Sequence, residues 1–80
     1  MKVIIYGTES CPWCHKAREF MKDHKVKFTN KNVGEDQKAA QEMIKKSGQQ
    51  GVPVIDVDGE IIVGFDENKL RELLKLNHKL

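Results

Sequence analysis

The pair Cys11-Pro12-Trp13-Cys14 falls between an apolar run and an amphipathic run, and this junction constrains the fold more than any other feature. Val3 to Tyr6 is continuously apolar and closed by Gly7, the pattern of a strand buried on both faces. Beyond the cysteines, Ala17, Phe20 and Met21 recur at helical spacing. Pro12 suits a first helical turn, where no amide hydrogen is needed, and Ser10 is the candidate cap. A helix from Pro12 to His24 is predicted.

The rest of the chain continues the alternation. Val26, Phe28 and Val33 mark a second strand, and Glu35 to Lys46 a second helix with Ala39, Ala40, Met43 and Ile44 on its buried face. Ser47-Gly48 ends that helix. Val52 to Val57 and Ile61 to Val63 are β-branched runs joined by Asp58-Gly59, a strong hairpin signal. Asp66 caps a last helix carrying Leu70, Leu73, Leu74 and Leu76. The order β-α-β-α-β-β-α implies an α/β fold: one mixed four-stranded sheet flanked by three helices. With 80 residues, the chain is expected to form a single domain over 1–80.

Composition narrows the function. Fourteen basic residues are scattered among twelve acidic ones, for a net charge of +2, so no basic stripe marks a nucleic-acid partner. No apolar run approaches the ~20 residues that span a bilayer, so no membrane role is expected. Met1-Lys2 leads into an apolar run too short for a signal-peptide core, and a cytoplasmic location is expected. Thiols are kept reduced there, so a CxxC pair points to catalysis or metal rather than to a structural staple.

At the head of a helix the two sulfurs lie on one face, one turn apart. Cys11 falls where unpaired amides and the helix dipole favour a thiolate, the nucleophilic form. Cys14, one turn inside, is expected to be less exposed and more protonated. Cys11 is thus assigned as nucleophile and Cys14 as the resolving thiol. Pro12 rigidifies the helix start, and Trp13 is read as an exposed aromatic that can pack on substrate. Lys16 and Arg18 add positive charge whose use depends on where their side chains point. Two rivals share the motif. Cys11-Pro12-Trp13-Cys14-His15 matches the c-type haem signature, although the surrounding β-α-β pattern is no haem wrapper. A zinc site would need His15, His24 or His78 beside the cysteines, and no second paired ligand set exists. Neither a metal nor a tightly bound cofactor is expected.

Three segments together resemble the glutaredoxin family: Cys11-Pro12-Trp13-Cys14 after the first strand, Ser47-Gly48-Gln49-Gln50-Gly51-Val52-Pro53-Val54, and Gly64-Phe65-Asp66. The resemblance spans nearly the whole chain. It implies a thioredoxin fold and thiol–disulfide exchange, with glutathione as co-substrate and glutathione or protein disulfides as partners. It also implies a cis proline at Pro53, which would set the Val52 backbone beside the nucleophile to pair with extended substrate, and it places Gly64, Phe65 and Asp66 at the substrate site. Gln50, Gln49, Lys38 and Lys45 are the candidates for a glutathione carboxylate. A monomer is expected.

The pattern departs from the glutathione-using members at two places. Thr8 stands where they carry a lysine, and Gly64-Phe65 is similar instead to the NrdH-type redoxins, which donate electrons to ribonucleotide reductase and are recharged by thioredoxin reductase. Asp66 in turn replaces the arginine usual in that subfamily. A further alternative is a non-enzymatic module in which the first cysteine and glutathione hold an iron–sulfur cluster between two subunits, although proline within the motif goes with the redox role.

Overall fold

A computed structural model describes residues 2–75. The elements run β1 Val3–Gly7, α1 Pro12–Asp23, β2 Thr29–Asn32, α2 Gln37–Ser47, β3 Val54–Val57, β4 Glu60–Val63 and α3 Glu67–Leu73. The sheet order is β2-β1-β3-β4, with β1 parallel to β2 and antiparallel to β3, and β3 antiparallel to β4. This is the thioredoxin arrangement. No helix of the described residues is long and apolar enough to cross a membrane.

β1 is apolar at every position because both of its faces are covered. Val3 and Ile5 join Ala17, Phe20, Met21, Ile55, Leu70 and Leu74 in one core, whereas Ile4 and Tyr6 join Met43 and Val54 in the other. Successive side chains of a strand point to opposite faces, so four consecutive residues serve two cores. The Asp58-Gly59 turn has φ of 51° and 94°, the positive pair that a tight two-residue hairpin requires.

Several expectations shift. The second strand is not built on Val26 and Phe28: Val26 donates its amide to the Met21 carbonyl at 2.8 Å, closing α1, and both residues pack on the core from a loop. The paired segment is the polar run Thr29–Asn32, an edge strand laid parallel to β1. Hydrophobicity there marked packing, not pairing. Ile44 is 37% exposed rather than buried, because Ala39 and Met43 form the stripe that meets the sheet. Asp36 caps α2 through the Ala39 amide. α1 is capped by Cys11 itself, not Ser10. β3 begins at Val54, since Pro53 has no amide for the ladder; the Val52–Pro53 peptide is cis. Leu76 and His78 lie outside the described residues.

Beneath α2 a polar cluster stands beside the apolar contact of Met43. The Tyr6 hydroxyl donates to Glu42, Lys31 Nζ donates to Glu42 at 3.1 Å, and Lys46 Nζ donates to the Tyr6 oxygen at 2.8 Å and to Asp56 at 2.7 Å. Asp56, the one buried charged residue among those described, accepts the Gly59 amide with its other oxygen. The Tyr6 hydrogen bond, followed by that from Lys31, holds the Glu42 carboxyl down at about 2 against an ordinary 4.5. Burial pushes Asp56 up, but the Lys46 ammonium and the Gly59 amide outweigh it and leave it lowered. Burial likewise opposes the charge on Lys46, and its bonds to Asp56 and Tyr6 reverse that.

Both carboxylates are depressed in the folded state, so their contribution to stability is complete above the unfolded value. It drains away as pH falls, for Glu42 between about 4.5 and about 2. Glu42→Gln should therefore flatten the acid limb of stability, narrowing the gap in melting temperature between neutral and acid solution by a few degrees, as suits a partly exposed ion pair. Circular dichroism melts across that pH range check this.

Candidate active site

The junction of β1 and α1 builds the site. Cys11 is the N-cap: its extended backbone leads into Pro12 at the first helical position, and the Cys14 amide donates to Cys11 Sγ at 3.2 Å. A sulfur thus takes the place of the usual capping oxygen and faces the unpaired amides of the first turn. The His15 amide closes the turn on the Cys11 carbonyl at 3.1 Å. Cys11 is half-buried, whereas Cys14 is wholly buried, and neither is in a disulfide.

Cys14 sits against the last residue of β1. A Cβ placed on Gly7 would meet Cys14 Sγ at 2.6 Å and its Cβ at 2.9 Å, so only glycine lets α1 dock at this depth. Burial pushes the Cys14 thiol up to about 11; its hydrogen bond to Cys11 adds to this, while the Thr8 backbone and the Arg18 charge pull the other way. The pair is therefore asymmetric: one sulfur reaches solvent and the other is a buried, protonated thiol.

The nearby cations divide. Lys16 Nζ lies 5.4 Å over the Trp13 ring, and Trp13 is 57% exposed. Arg18 turns inward instead, donating to the Thr8 carbonyl at 3.3 Å and to Asn30 at 3.1 Å. His15 engages the Glu9 carbonyl through one ring nitrogen and Arg18 through the other, while the His24 ring packs tilted against Phe20 at 4.5 Å between centroids. Among the described residues no three His, Cys, Asp or Glu side chains gather into a metal-binding group.

Beside the cysteine turn lies a groove of about 220 Å³ lined by Trp13, Val52, Pro53, Gly64 and Phe65. Pro53 is buried, and its carbonyl accepts the Gly64 amide at 2.7 Å, so the two ends of the β3–β4 hairpin are joined at the groove floor. Phe65 spans from Trp13, at 6.4 Å between ring centroids, to the core ring of Phe20 at 5.6 Å. Pro12 is exposed at the helix start next to this lining. Gln50 and Asp66 are exposed and outside the lining, and Asp66 caps α3 through the Lys69 amide at 3.1 Å. The Gln49 side chain is folded onto its own loop through Ser47 and Gly51, and Lys38 and Lys45 are exposed and outside the groove lining.

In the sequence Gly7 marks only a strand end; the signal for its closer role is a glycine immediately before a turn bearing a helix-borne cysteine. Gly7→Ala should cost about 1–3 kcal/mol through overpacking. In a double-mutant cycle with Cys14→Ala, part of that cost should be recovered, because the sulfur that clashes is gone. Urea midpoints of the four proteins provide the measurement.

Comparison with known proteins agrees with this geometry. The glutaredoxin family model matches residues 3–62. The chain is 45% identical over 73 residues to a glutaredoxin-like 8.6 kDa protein in the rubredoxin operon of Clostridium pasteurianum, covering 91% of this chain and 97% of that one. Glutaredoxin 3 of Escherichia coli is 37% identical over 65 residues, covering 81% of this chain and 78% of its own length. The crystal structure of a glutaredoxin from Archaeoglobus fulgidus superposes with a TM-score of 0.85 at 29% identity, over 92% of this chain and 86% of that one. A fold, a cysteine turn and a run of relatives that all point one way place this chain in the glutaredoxin family of thiol–disulfide oxidoreductases.

Proposed function

We propose that the protein is a dithiol oxidoreductase in which Cys11 attacks a disulfide and Cys14 resolves the product. The observation that carries this reading is the asymmetry of the pair: Cys11 reaches solvent with its sulfur on a helix-start amide, and Cys14 is buried and protonated. The Cys11 thiolate attacks one sulfur of the substrate disulfide, forming a mixed disulfide and releasing the other sulfur as a thiolate that takes up a proton. Cys14 then loses its proton to solvent and attacks Cys11 Sγ. The Cys11–Cys14 bond forms, the mixed disulfide breaks and the second substrate thiolate leaves. Two electrons pass to the substrate, and the oxidised pair is reset by an external reductant.

The first step prepares the second. Once Cys11 is bonded to substrate it no longer holds the Cys14 proton or carries a charge beside it, and both influences had raised the Cys14 thiol. What remains against burial is the Thr8 backbone and Arg18. The resolving thiol is thereby quiet until there is something to resolve.

The groove supplies the substrate platform. Trp13 and Phe65 offer aromatic faces, and Val52 with the cis Pro53 offers backbone edges to an extended segment. Gln50 and Asp66, exposed outside that lining, are assigned in this reading to a substrate carboxylate and amino group respectively. Cys11→Ser should abolish disulfide reduction, and Cys14→Ser should stop at a stable mixed disulfide with protein substrates, visible by mass spectrometry. Activity surviving in Cys11→Ser would overturn the assignment.

One observation favours a second reading of the reductant. The groove lining carries no charged side chain, Thr8 replaces a lysine, and Lys16 and Arg18 are engaged by Trp13 and by the turn. The carboxylates of glutathione find no cation in that lining, which suits an NrdH-type redoxin recharged by thioredoxin reductase and serving ribonucleotide reductase. NADPH oxidation by the oxidised protein, with glutathione plus glutathione reductase or with thioredoxin reductase, separates the two: turnover with thioredoxin reductase alone assigns the NrdH type, and turnover with glutathione assigns the glutaredoxin type.

A further inference from the structure

Arg18 stands one helical turn beyond Cys14 and reaches back past it. One guanidinium nitrogen donates to the Thr8 carbonyl at 3.3 Å and meets His15 Nδ1 at 3.3 Å; the other donates to Asn30 Oδ1 on β2 at 3.1 Å. The guanidinium and the Cys14 sulfur converge on one point, since a Cβ on Gly7 would lie 3.6 Å from Arg18 Nη1 and 2.6 Å from Cys14 Sγ. A guanidinium keeps its charge at any working pH, and its planar fork can hold two partners at once. The second cation of the turn, Lys16, is spent on the outer face of Trp13.

We propose that Arg18 is the positioning residue of the resolving step: it pins the β1–α1 turn through Thr8 and supplies the fixed positive charge against which Cys14 ionises. This rests on the dithiol reading above. The side chains whose charge acts on Cys14 are Cys11, the cap of α1, and Arg18 within it. His15 and Glu9 complete the turn around Arg18, while the strands present the backbone of Gly7 and the neutral amide of Asn30. With Cys11 tied up in a mixed disulfide, Arg18 is the one side-chain charge left among those acting on Cys14 to favour its thiolate.

The test uses the full chain and one equivalent of an aromatic disulfide of the Ellman type, which releases one coloured thiolate when Cys11 attacks and a second when Cys14 resolves. The first phase scales with concentration and the second does not. Arg18→Gln should slow the second phase about tenfold at neutral pH and move its pH midpoint up by about one unit, the equivalent of a tenfold loss of thiolate. The first phase should hold within about threefold. Arg18→Lys keeps the charge and should restore the wild-type midpoint, even if Arg18→Gln proves unstable. An unmoved second-phase midpoint in folded Arg18→Gln, or a midpoint displaced upward in folded Arg18→Lys, overturns the role of Arg18 alone. A wild-type protein with no second phase overturns the dithiol reading and the Arg18 role with it.

Discussion

The contact between Cys14 and the bare backbone of Gly7 is the constraint on which the site depends. α1 can descend onto the end of β1 only because no side chain stands at Gly7, and that descent sets the two sulfurs apart in character. A shallower helix would expose Cys14 and lose the burial that keeps its thiol protonated. Cys11, the cap of the same helix, is carried along at a fixed height above it. The difference between attacker and resolver is thus a packing distance before it is an electrostatic one.

The two faces of the sheet hold it by different means. On the α1 and α3 side the cover is apolar, with Phe20 and Leu70 at its centre and Phe65 carrying that packing out to the groove. On the α2 side Tyr6, Glu42, Lys46 and Asp56 form a satisfied polar cluster, and no buried side-chain polar atom lacks a partner among the described residues. Directional bonds fix the register of α2 over β1 and β3 where a small apolar face would leave it loose. The reactive turn lies against the dry face, away from the cluster that titrates.

Much of this was legible in the residues. A continuous Val3–Tyr6 run declares a strand covered twice, and Asp58-Gly59 declares the hairpin, because each is a local rule with little competition. Val26 and Phe28 misled because an apolar residue reports burial and not hydrogen bonding; the paired residues Thr29–Asn32 are polar and carry no pattern at all. Ile44 misled for the same reason in reverse, since one turn of helix decides which of four apolar residues meets the sheet. At the site, the cysteines, Pro53 and Gly64-Phe65 stood out as motifs. Gly7 and Arg18 did not, because their roles are distances across the turn.

The hairpin has a consequence for how the molecule can be altered. Its open end, where the Gly64 amide meets the Pro53 carbonyl, forms the groove, and its closed end at Asp58-Gly59 lies beside the start of β1, where the Asp58 amide donates to the Lys2 carbonyl at 2.8 Å. A strand of this length separates the two ends by roughly 15 Å. Chemistry is therefore gathered at one rim of the sheet, and the opposite rim carries bonds of the fold and none of the site. A peptide tag or reporter spliced into the turn at Asp58-Gly59 would sit on the far side of the molecule, leaving the approach of a protein substrate to Cys11 unobstructed.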